Sequence, residues 1–220
     1  MPAAAGFEVI QGVLTDAERT SLLAAASGFP RSRAGARHLM RDATVNRMAR
    51  DRRLVDLASA ALGSSAEPFR ATLFDKSSDA NWLVVWHQDT ALPLERRQEA
   101  EGWGPWSTKD GVVYAHAPAS ALHHIVAVRV HLDDSTSENG PLRVIPGSHE
   151  LGVLSDAGVR ELVARERPHE CIVGRGGVLV MRPLLVHASS KSAAAAPRRV
   201  LHIEYASTMR FEPGLTLQVA

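Results

Sequence analysis

From Pro68 onward the chain breaks into about eight short apolar, β-branched runs bounded by Gly, Pro, Asp, Ser and Asn, and this texture restricts the fold more than any other feature. Such runs fit strands, and the residues between them fit turns. The expected strands are Arg70–Lys76, Trp82–Asp89, His124–Leu132, Leu142–Ile145, Glu170–Val173, Val178–Met181, Leu184–Ala188 and Arg199–Ala206. Short strands after a helical start predict a mainly β fold, a double-sheet jelly roll (double-stranded β-helix) with N-terminal α-helices packed outside.

The start of the chain supplies those helices. Phe7 to Leu14 is apolar enough for a strand, and Thr15-Asp16-Ala17-Glu18 then forms a capping-box pattern ahead of Leu22, Leu23 and Ala26, with Gly28 as a stop. A second helix is expected from about Asp51 to Leu62, where Leu54, Val55, Leu57, Ala58, Ala61 and Leu62 make an apolar stripe and Gly63 stands at the C-cap. Arg31 to Arg50, between them, is basic and irregular and reads as a solvated connection. Ala91 to Leu122 is long for a connection between strands, and ordered loops of that length are often lids or binding loops. It carries Gly102-Trp103-Gly104-Pro105-Trp106, so Trp103 and Trp106 are candidates either for a plug at the end of the barrel or for contact with substrate. With no internal repeat and no linker, residues 1–220 read as one domain, helical to about residue 67 and jelly roll from about 68 to 206.

Composition narrows the function. Twenty-five Lys and Arg against 24 Asp and Glu leave a net charge of +1, far from the basic surplus of a nucleic-acid binder, so a small-molecule partner is expected and nucleic acid is not. No apolar run approaches the roughly 18 residues that span a bilayer, and Met1 to Val13 lacks the pattern of a signal peptide. The single cysteine, Cys171, precludes an intramolecular disulfide and fits a reducing cytoplasm.

Chemistry enters at Trp86-His87-Gln88-Asp89. On a strand, positions 87 and 89 point the same way, so one imidazole and one carboxylate converge. A second imidazole from elsewhere would complete a 2-His-1-carboxylate facial triad, which holds Fe(II) on three sites and leaves the others open. His187, at the end of the apolar run Leu184–Ala188, is the candidate, and Arg198-Arg199 follows it. His202-x-Glu204 is a competing pair that could combine with His187. His123 and His124 are adjacent, so on a strand they face opposite ways. His149 fits a tight turn, and Cys171 has no recognisable base and reads as a buried thiol.

His87-x-Asp89, His187 and Arg198, in this order, resemble the phytanoyl-CoA dioxygenase family of Fe(II)- and 2-oxoglutarate-dependent oxygenases. Phe74-Asp75-Lys76 and Glu138-Asn139-Gly140-Pro141-Leu142-Arg143-Val144-Ile145-Pro146-Gly147-Ser148-His149 extend the resemblance, which covers about Arg70 to Ala206. It implies that His87, Asp89 and His187 hold Fe(II), with O2 and 2-oxoglutarate as co-reactants. It also implies that Arg198 pairs with the far carboxylate of 2-oxoglutarate, since a guanidinium meets a carboxylate in a planar bidentate fork. Parity allows only one of Arg198 and Arg199 to point inward, and the family spacing favours Arg198. Ser189 could add a hydrogen bond there. Arg129 and Thr72 lie where the family has cosubstrate-contacting residues, and Lys76 is near enough to be a third candidate; all three match in position rather than in residue type. His131 and His202 share parity with Arg129 and Arg198 and are candidates for substrate contact. The expected activity is oxidation of a C–H bond in a small metabolite or natural-product intermediate. Phytanoyl-CoA itself is not carried over, because the chain has no evident module or basic cluster for a CoA thioester. The alternative is a metal-binding, cupin-like jelly roll that does not use 2-oxoglutarate or has lost turnover.

Overall fold

The computed structural model describes residues 4–29, 35–77, 80–194 and 196–220. β1 (Phe7–Ile10) leads into α1 (Asp16–Ala26), where Thr15 accepts from the Glu18 amide and the Glu18 carboxylate accepts from the Thr15 amide. This is the capping box that the sequence predicts. β2 (Gly35–Ala36), α2 (Ala43–Ala49), α3 (Arg52–Leu62) and β3 (Glu67–Lys76) follow. Asp51 caps the start of α3, and Gly63, at φ 72°, ends it in the left-handed conformation that glycine adopts without a steric penalty. The remaining elements are β4 (Val84–His87), β5 (Ala91–Leu94), β6 (Trp106–Lys109), β7 (Val112–His116), α4 (Ala119–Leu122), β8 (Ile125–His131), β9 (Leu142–Val144), α5 (Asp156–Arg165), β10 (His169–Cys171), β11 (Val178–Met181), β12 (His187–Ser189) and β13 (Arg198–Ala206), before a short terminal hairpin. No helix among the described residues is long and apolar enough to cross a membrane.

The strands form two principal antiparallel sheets, ordered β1-β11-β8-β13-β3-β2 and β10-β9-β12-β4. Strand alternation divides the larger sheet cleanly. Its outer face, with Ala71, Leu73, Val126, Val128, Val130, Leu201, Ile203 and Tyr205, packs against Leu22, Val45, Ala49, Leu54 and Ala58 of the three helices. Its inner face contributes Ala127, Leu179 and Met181 to a second cluster with Leu142, Val144 and Cys171 of the smaller sheet. The rest of that inner face is largely polar, with the Phe74 and Val200 pair set among the polar side chains. Opposed pairs Lys76 and Arg198, Thr72 and His202, and Arg70 and Glu204 all lie on it. The expected double-stranded β-helix is therefore present, and the interval between its sheets is apolar at one end and charged at the other.

Two expectations are corrected. Residues 31–34 lie outside the described residues, but from Gly35 the basic segment is not a solvated connection. It holds β2, a 3-10 turn and α2, and it buries Met40, Val45 and Ala49. The arginines obscured this pattern because they occupy the exposed positions of so short a helix. The 91–122 stretch is likewise not a loop: it contains the three-stranded sheet β5-β7-β6 and α4. The β6–β7 turn is Asp110-Gly111, a dipeptide suited to the positive φ angles of a tight hairpin, and both residues have them.

Glu18 also joins α1 to α3. Arg53 donates to it at 2.5 Å, and this bond, with the Thr15 amide, lowers its carboxyl from 4.5 to about 2. The ionised carboxylate thus contributes stability fully above about pH 4.5, and that contribution is lost as pH falls toward 2. Urea unfolding of Glu18→Gln should show a shallower loss of stability between pH 5 and pH 2.5 than wild type; equal steepness would refute this link.

Candidate metal centre

β4 and β12 cross at the two histidines: His187 pairs directly with His87, and the ring centroids are 4.3 Å apart. The ladder then slips. Ser189 pairs with Val84, so three steps along β4 match two along β12, which is a β-bulge. The extra residue breaks alternation, and Val84 and His87 both line the interior while Val85 is exposed and Trp86 packs toward Val159 and Leu162 of α5.

β4 ends at His87, so Asp89 is not placed by continued strand alternation as expected. Its amide donates to Pro183 O at 2.9 Å. The intervening Gln88 is pinned on the other side, donating to Gly152 O and Leu184 O at 2.9 and 2.7 Å and accepting from the Leu154 amide at 2.8 Å. These bonds turn the Asp89 carboxylate back to the histidines. Its two oxygens lie 3.6 Å from His87 Nε2 and 3.5 Å from His187 Nε2. One ligand atom from each of the three residues lies within 4.8 Å of the others, close enough to share one ion. Among the described residues no other trio of His, Cys, Asp or Glu converges in this way.

The imidazoles are oriented from behind. His87 Nδ1 is 2.8 Å from Val85 O and His187 Nδ1 is 2.8 Å from Leu185 O. A carbonyl only accepts, so Nδ1 carries the proton and the Nε2 lone pair is left facing Asp89. Burial lowers His187 to about 4, which keeps it neutral. Burial opposes ionisation of Asp89, but the two histidines hold its carboxyl well below the usual range. Burial also opposes protonation of His87, yet the Asp89 hydrogen bond and charge leave its pKa raised overall. The result is an ionised carboxylate beside two imidazoles whose Nε2 atoms converge on it, an electrostatic setting that suits a cation.

The same pocket, about 100 Å³ in volume, is lined at its far side by Lys76, Ser189, Arg198 and Arg129. Ser189 Oγ links them, accepting from Lys76 Nζ at 2.8 Å and from Arg198 Nη2 at 3.2 Å, while donating to Gly140 O at 2.9 Å. Arg198 Nε donates to Asn139 O at 3.2 Å. Burial, reinforced by Arg129, lowers Arg198 to about 10, and burial with Arg198 and Arg129 lowers Lys76 to about 8. Three cations thus face the cavity, and among the described residues neither Lys76 nor Arg198 forms an ion pair with a carboxylate. Gly140 is required here. It sits at φ 67°, and a Cβ would come 2.3 Å from Ser190 O, so the Asn139-Gly140 turn can approach β12 only without a side chain. Ser148 fixes the approach to His187, accepting from the Val186 amide at 2.8 Å.

The other residues singled out from sequence divide. Arg199 faces away and pairs with Asp133 at 2.7 Å. His202 is buried, 2.9 Å from Arg129 through Nδ1, and Glu204 is engaged by Arg70 and is not part of the convergent trio. His131 is buried with neither ring nitrogen bonded. Thr72 lies between Arg70 and Phe74 on β3, opposite His202. Trp103 and Trp106 are not brought to this pocket. They pack with Leu92, Leu94, Ala115, Leu122 and Phe211 at the end of the barrel, the plug alternative, because their apolar rings match that side of the β5-β7-β6 sheet. Cys171 is buried among apolar side chains, which raise its thiol to about 12. The sequence reading missed Phe74, Trp82, Val84 and Leu142 as pocket walls, and Gln88 as the anchor of the His87–Asp89 segment. Phe74 and Leu142 were within the motifs already singled out; the inward turn of Val84 depends on the bulge and had no local signal.

A model of the family described as phytanoyl-CoA dioxygenase (PhyH) matches residues 4–200. Among curated relatives, an L-proline trans-4-hydroxylase of Streptomyces griseoviridis is 28% identical over 193 residues, covering 74% of this chain and 63% of that protein. An ectoine dioxygenase of Halomonas elongata is 25% identical over 175 residues, covering 70% of this chain and 46% of its own length. The alignments therefore span less than two thirds of either relative. Similar solved structures include the epimerase SnoN from nogalamycin biosynthesis in complex with Fe3+, α-ketoglutarate and nogalamycin RO (TM-score 0.73, 19% identity, 98% of this chain and 82% of that one). Another is EctD from S. alaskensis in its apo form (TM-score 0.71, 21% identity, 98% and 78%). At these identities the likeness establishes the fold.

His187→Ala should weaken Mn(II) binding by more than about 100-fold in an electron paramagnetic resonance titration, since a ligand matters at least as much as its outer partners. His202→Ala should leave it within about threefold. Equal affinities for His187→Ala and wild type would exclude His187 as a ligand.

Proposed function

This chain belongs to the phytanoyl-CoA dioxygenase family, and on that premise we propose that it is an Fe(II)- and 2-oxoglutarate-dependent oxygenase. Its reaction is the hydroxylation, or another oxidation, of an unactivated C–H bond in a small metabolite or natural-product intermediate. The observation that carries this reading is the sharing of one pocket by two complementary sets of side chains: the convergent trio His87, Asp89 and His187, and the cations Arg198, Lys76 and Arg129.

In this reading His87, Asp89 and His187 hold the metal through two nitrogens and one oxygen, a donor set suited to Fe(II). Fe(II) with 2-oxoglutarate and O2 supplies the oxidant, and the protein supplies position. Arg198 pairs with the distal carboxylate of 2-oxoglutarate, Lys76 adds a second positive charge, and the Ser189 hydroxyl orients both. Desolvation makes these contacts stronger than they would be in water, because the buried cations have no competing solvent shell. Arg129 is held by His202 and by the face of Phe74, whose centroid is 5.2 Å away, and fits a role in positioning the cosubstrate. Thr72, His131 and His202 line the interior farther along as supporting groups. The helical part and the jelly roll act as one oxygenase domain, the helices bracing the sheet that carries Arg198. A reducing cytoplasm, in which iron stays ferrous, suits this chemistry.

The test is succinate formation with Fe(II), 2-oxoglutarate and O2, with candidate metabolites added. Metal binding without 2-oxoglutarate-dependent succinate would favour the cupin-like alternative and overturn the proposal. Arg198→Ala should raise the KM for 2-oxoglutarate by about tenfold or more, the effect of losing a charge-assisted hydrogen bond. Arg199→Ala should change it little, and the reverse ranking would sink the assignment. Lys76, lowered to about 8, is charged below that pH and loses its proton above it. The KM for 2-oxoglutarate should therefore rise as pH passes through and above about 8, and Lys76→Gln should flatten that rise.

A further inference from the structure

A second polar wall stands beside the metal centre. In the sheet β5-β7-β6, Pro93 pairs with Tyr114, Tyr114 with Ser107, and Val112 with Lys109, so Tyr114 and Lys109 share one face. The opposite face turns Leu92, Leu94 and Ala115 into the apolar cluster of Trp103. The polar face is tied to the interior through Arg70, which donates to Ala91 O at 2.9 Å and lies 5.7 Å from the Tyr114 ring centroid. Tyr114 is its hub. Its hydroxyl bonds His38 Nε2 at 2.9 Å, the two rings stack, and Lys109 Nζ lies 5.1 Å from its ring centroid.

Charge on this wall is unbalanced. Glu204 neutralises Arg70, but Lys109 and Arg37 are exposed and make no ion pair among the described residues. The groups are close enough to act on one another: after burial, Arg37 and Arg70 lower the Lys109 pKa, and Asp89 raises it. Arg37 acts likewise on Tyr114 and His38. The facing acids, apart from Asp89, are Asp110, which acts on His38, and Glu204, which acts on Tyr114 and is already paired with Arg70. Asp89 belongs to the metal trio, so a bound cation would take up its charge. The whole chain carries only +1, so this surplus is local. Backbone geometry adds an independent mark. His38 holds φ 59°, a conformation that costs a non-glycine residue, and the Tyr114 bond and stacking brace it, fixing the corner that carries Arg37.

We propose that Arg37 and Lys109, flanking Tyr114, form a subsite for an oxyanion of the substrate, which is therefore a small-molecule acid bearing a carboxylate or a phosphate. The inference rests on the oxygenase reading, since it names the substrate class of that site. A guanidinium and an ammonium together suit such a group, the first by its planar fork and the second as a compact charge.

The experiment uses the full chain loaded with Mn(II) and N-oxalylglycine, an unreactive 2-oxoglutarate analogue, so that the metal and cosubstrate positions are filled. Loading is verified first by the Mn(II) resonance; failure to load overturns the oxygenase reading and this inference with it. Acetate and inorganic phosphate are then titrated separately by calorimetry, which separates the two oxyanion sources without requiring turnover. Saturable binding of at least one is expected, weakened about tenfold in Arg37→Gln and in Lys109→Gln, absent in the double variant, and unchanged in the control Lys191→Gln. Both changed positions are exposed, and matching circular dichroism of the variants verifies their fold. A loaded protein that binds neither anion, or binds one equally well in the double variant, overturns the inference and leaves the oxygenase reading standing.

Discussion

The cost of enclosing charge between two sheets governs this structure. The inner face of the larger sheet carries Lys76, Arg198, Arg129, His202, Arg70 and Glu204, groups whose burial is unfavourable unless each finds a partner. At the inner end the cost is met internally: Glu204 binds Arg70, and His202 Nδ1 accepts from Arg129. Toward Ser189 it is met, among the described residues, by neutral oxygens, those of Ser189, Ser190 and Asn139, so that positive charge is left over. A buried surplus of this kind is stabilised by an anion, and the pocket shape makes room for one beside the metal trio.

Packing supplies the rigidity that such a site needs. Alternation along β8, β13 and β3 sends every second residue into the helix-covered core and its neighbours into the polar interior. The apolar contacts of α1, α2 and α3 thus fix the depth of Arg129 and Arg198 without touching them. The smaller sheet is braced by α5 through Trp86, and the bulge beside His187 converts that bracing into convergence of His87 with its partners. Ligands held from behind by backbone carbonyls and by Gln88 need little rearrangement to accept an ion.

The plug formed around Trp103 and Trp106 also has a functional consequence. By closing one end of the barrel with apolar rings, it leaves the polar face of β5-β7-β6 as a wall beside Asp89, and the Tyr114 hub then organises the cations along it. One small sheet therefore seals the core on one side and carries charge on the other, the division that period-two alternation imposes.

Much of the fold and of the site was legible in the residues themselves. The Thr15–Glu18 cap, the α3 stripe with Gly63, and the strand Val178–Met181 are local patterns, set by hydrogen bonds and periodicity within a few residues, and they stand where expected. Motif content was enough to connect His87, Asp89, His187 and Arg198, and parity, which lets only one of two neighbours point inward, together with the family spacing was enough to separate Arg198 from Arg199. Tertiary structure decided what alternation alone could not: the bulge that turns Val84 and His87 to one side, the Gln88 anchor that returns Asp89 after the strand has ended, the helix hidden among the arginines of 35–50, and the side of its sheet to which Trp103 belongs. Each depends on partners distant in sequence, such as Gln88 with Leu184, Ala49 with Tyr205 and Trp103 with Phe211, or on a register slip, and neither leaves a mark in a short window of sequence. That is the physical reason the chemistry was readable from side-chain types while the walls around it required the folded chain.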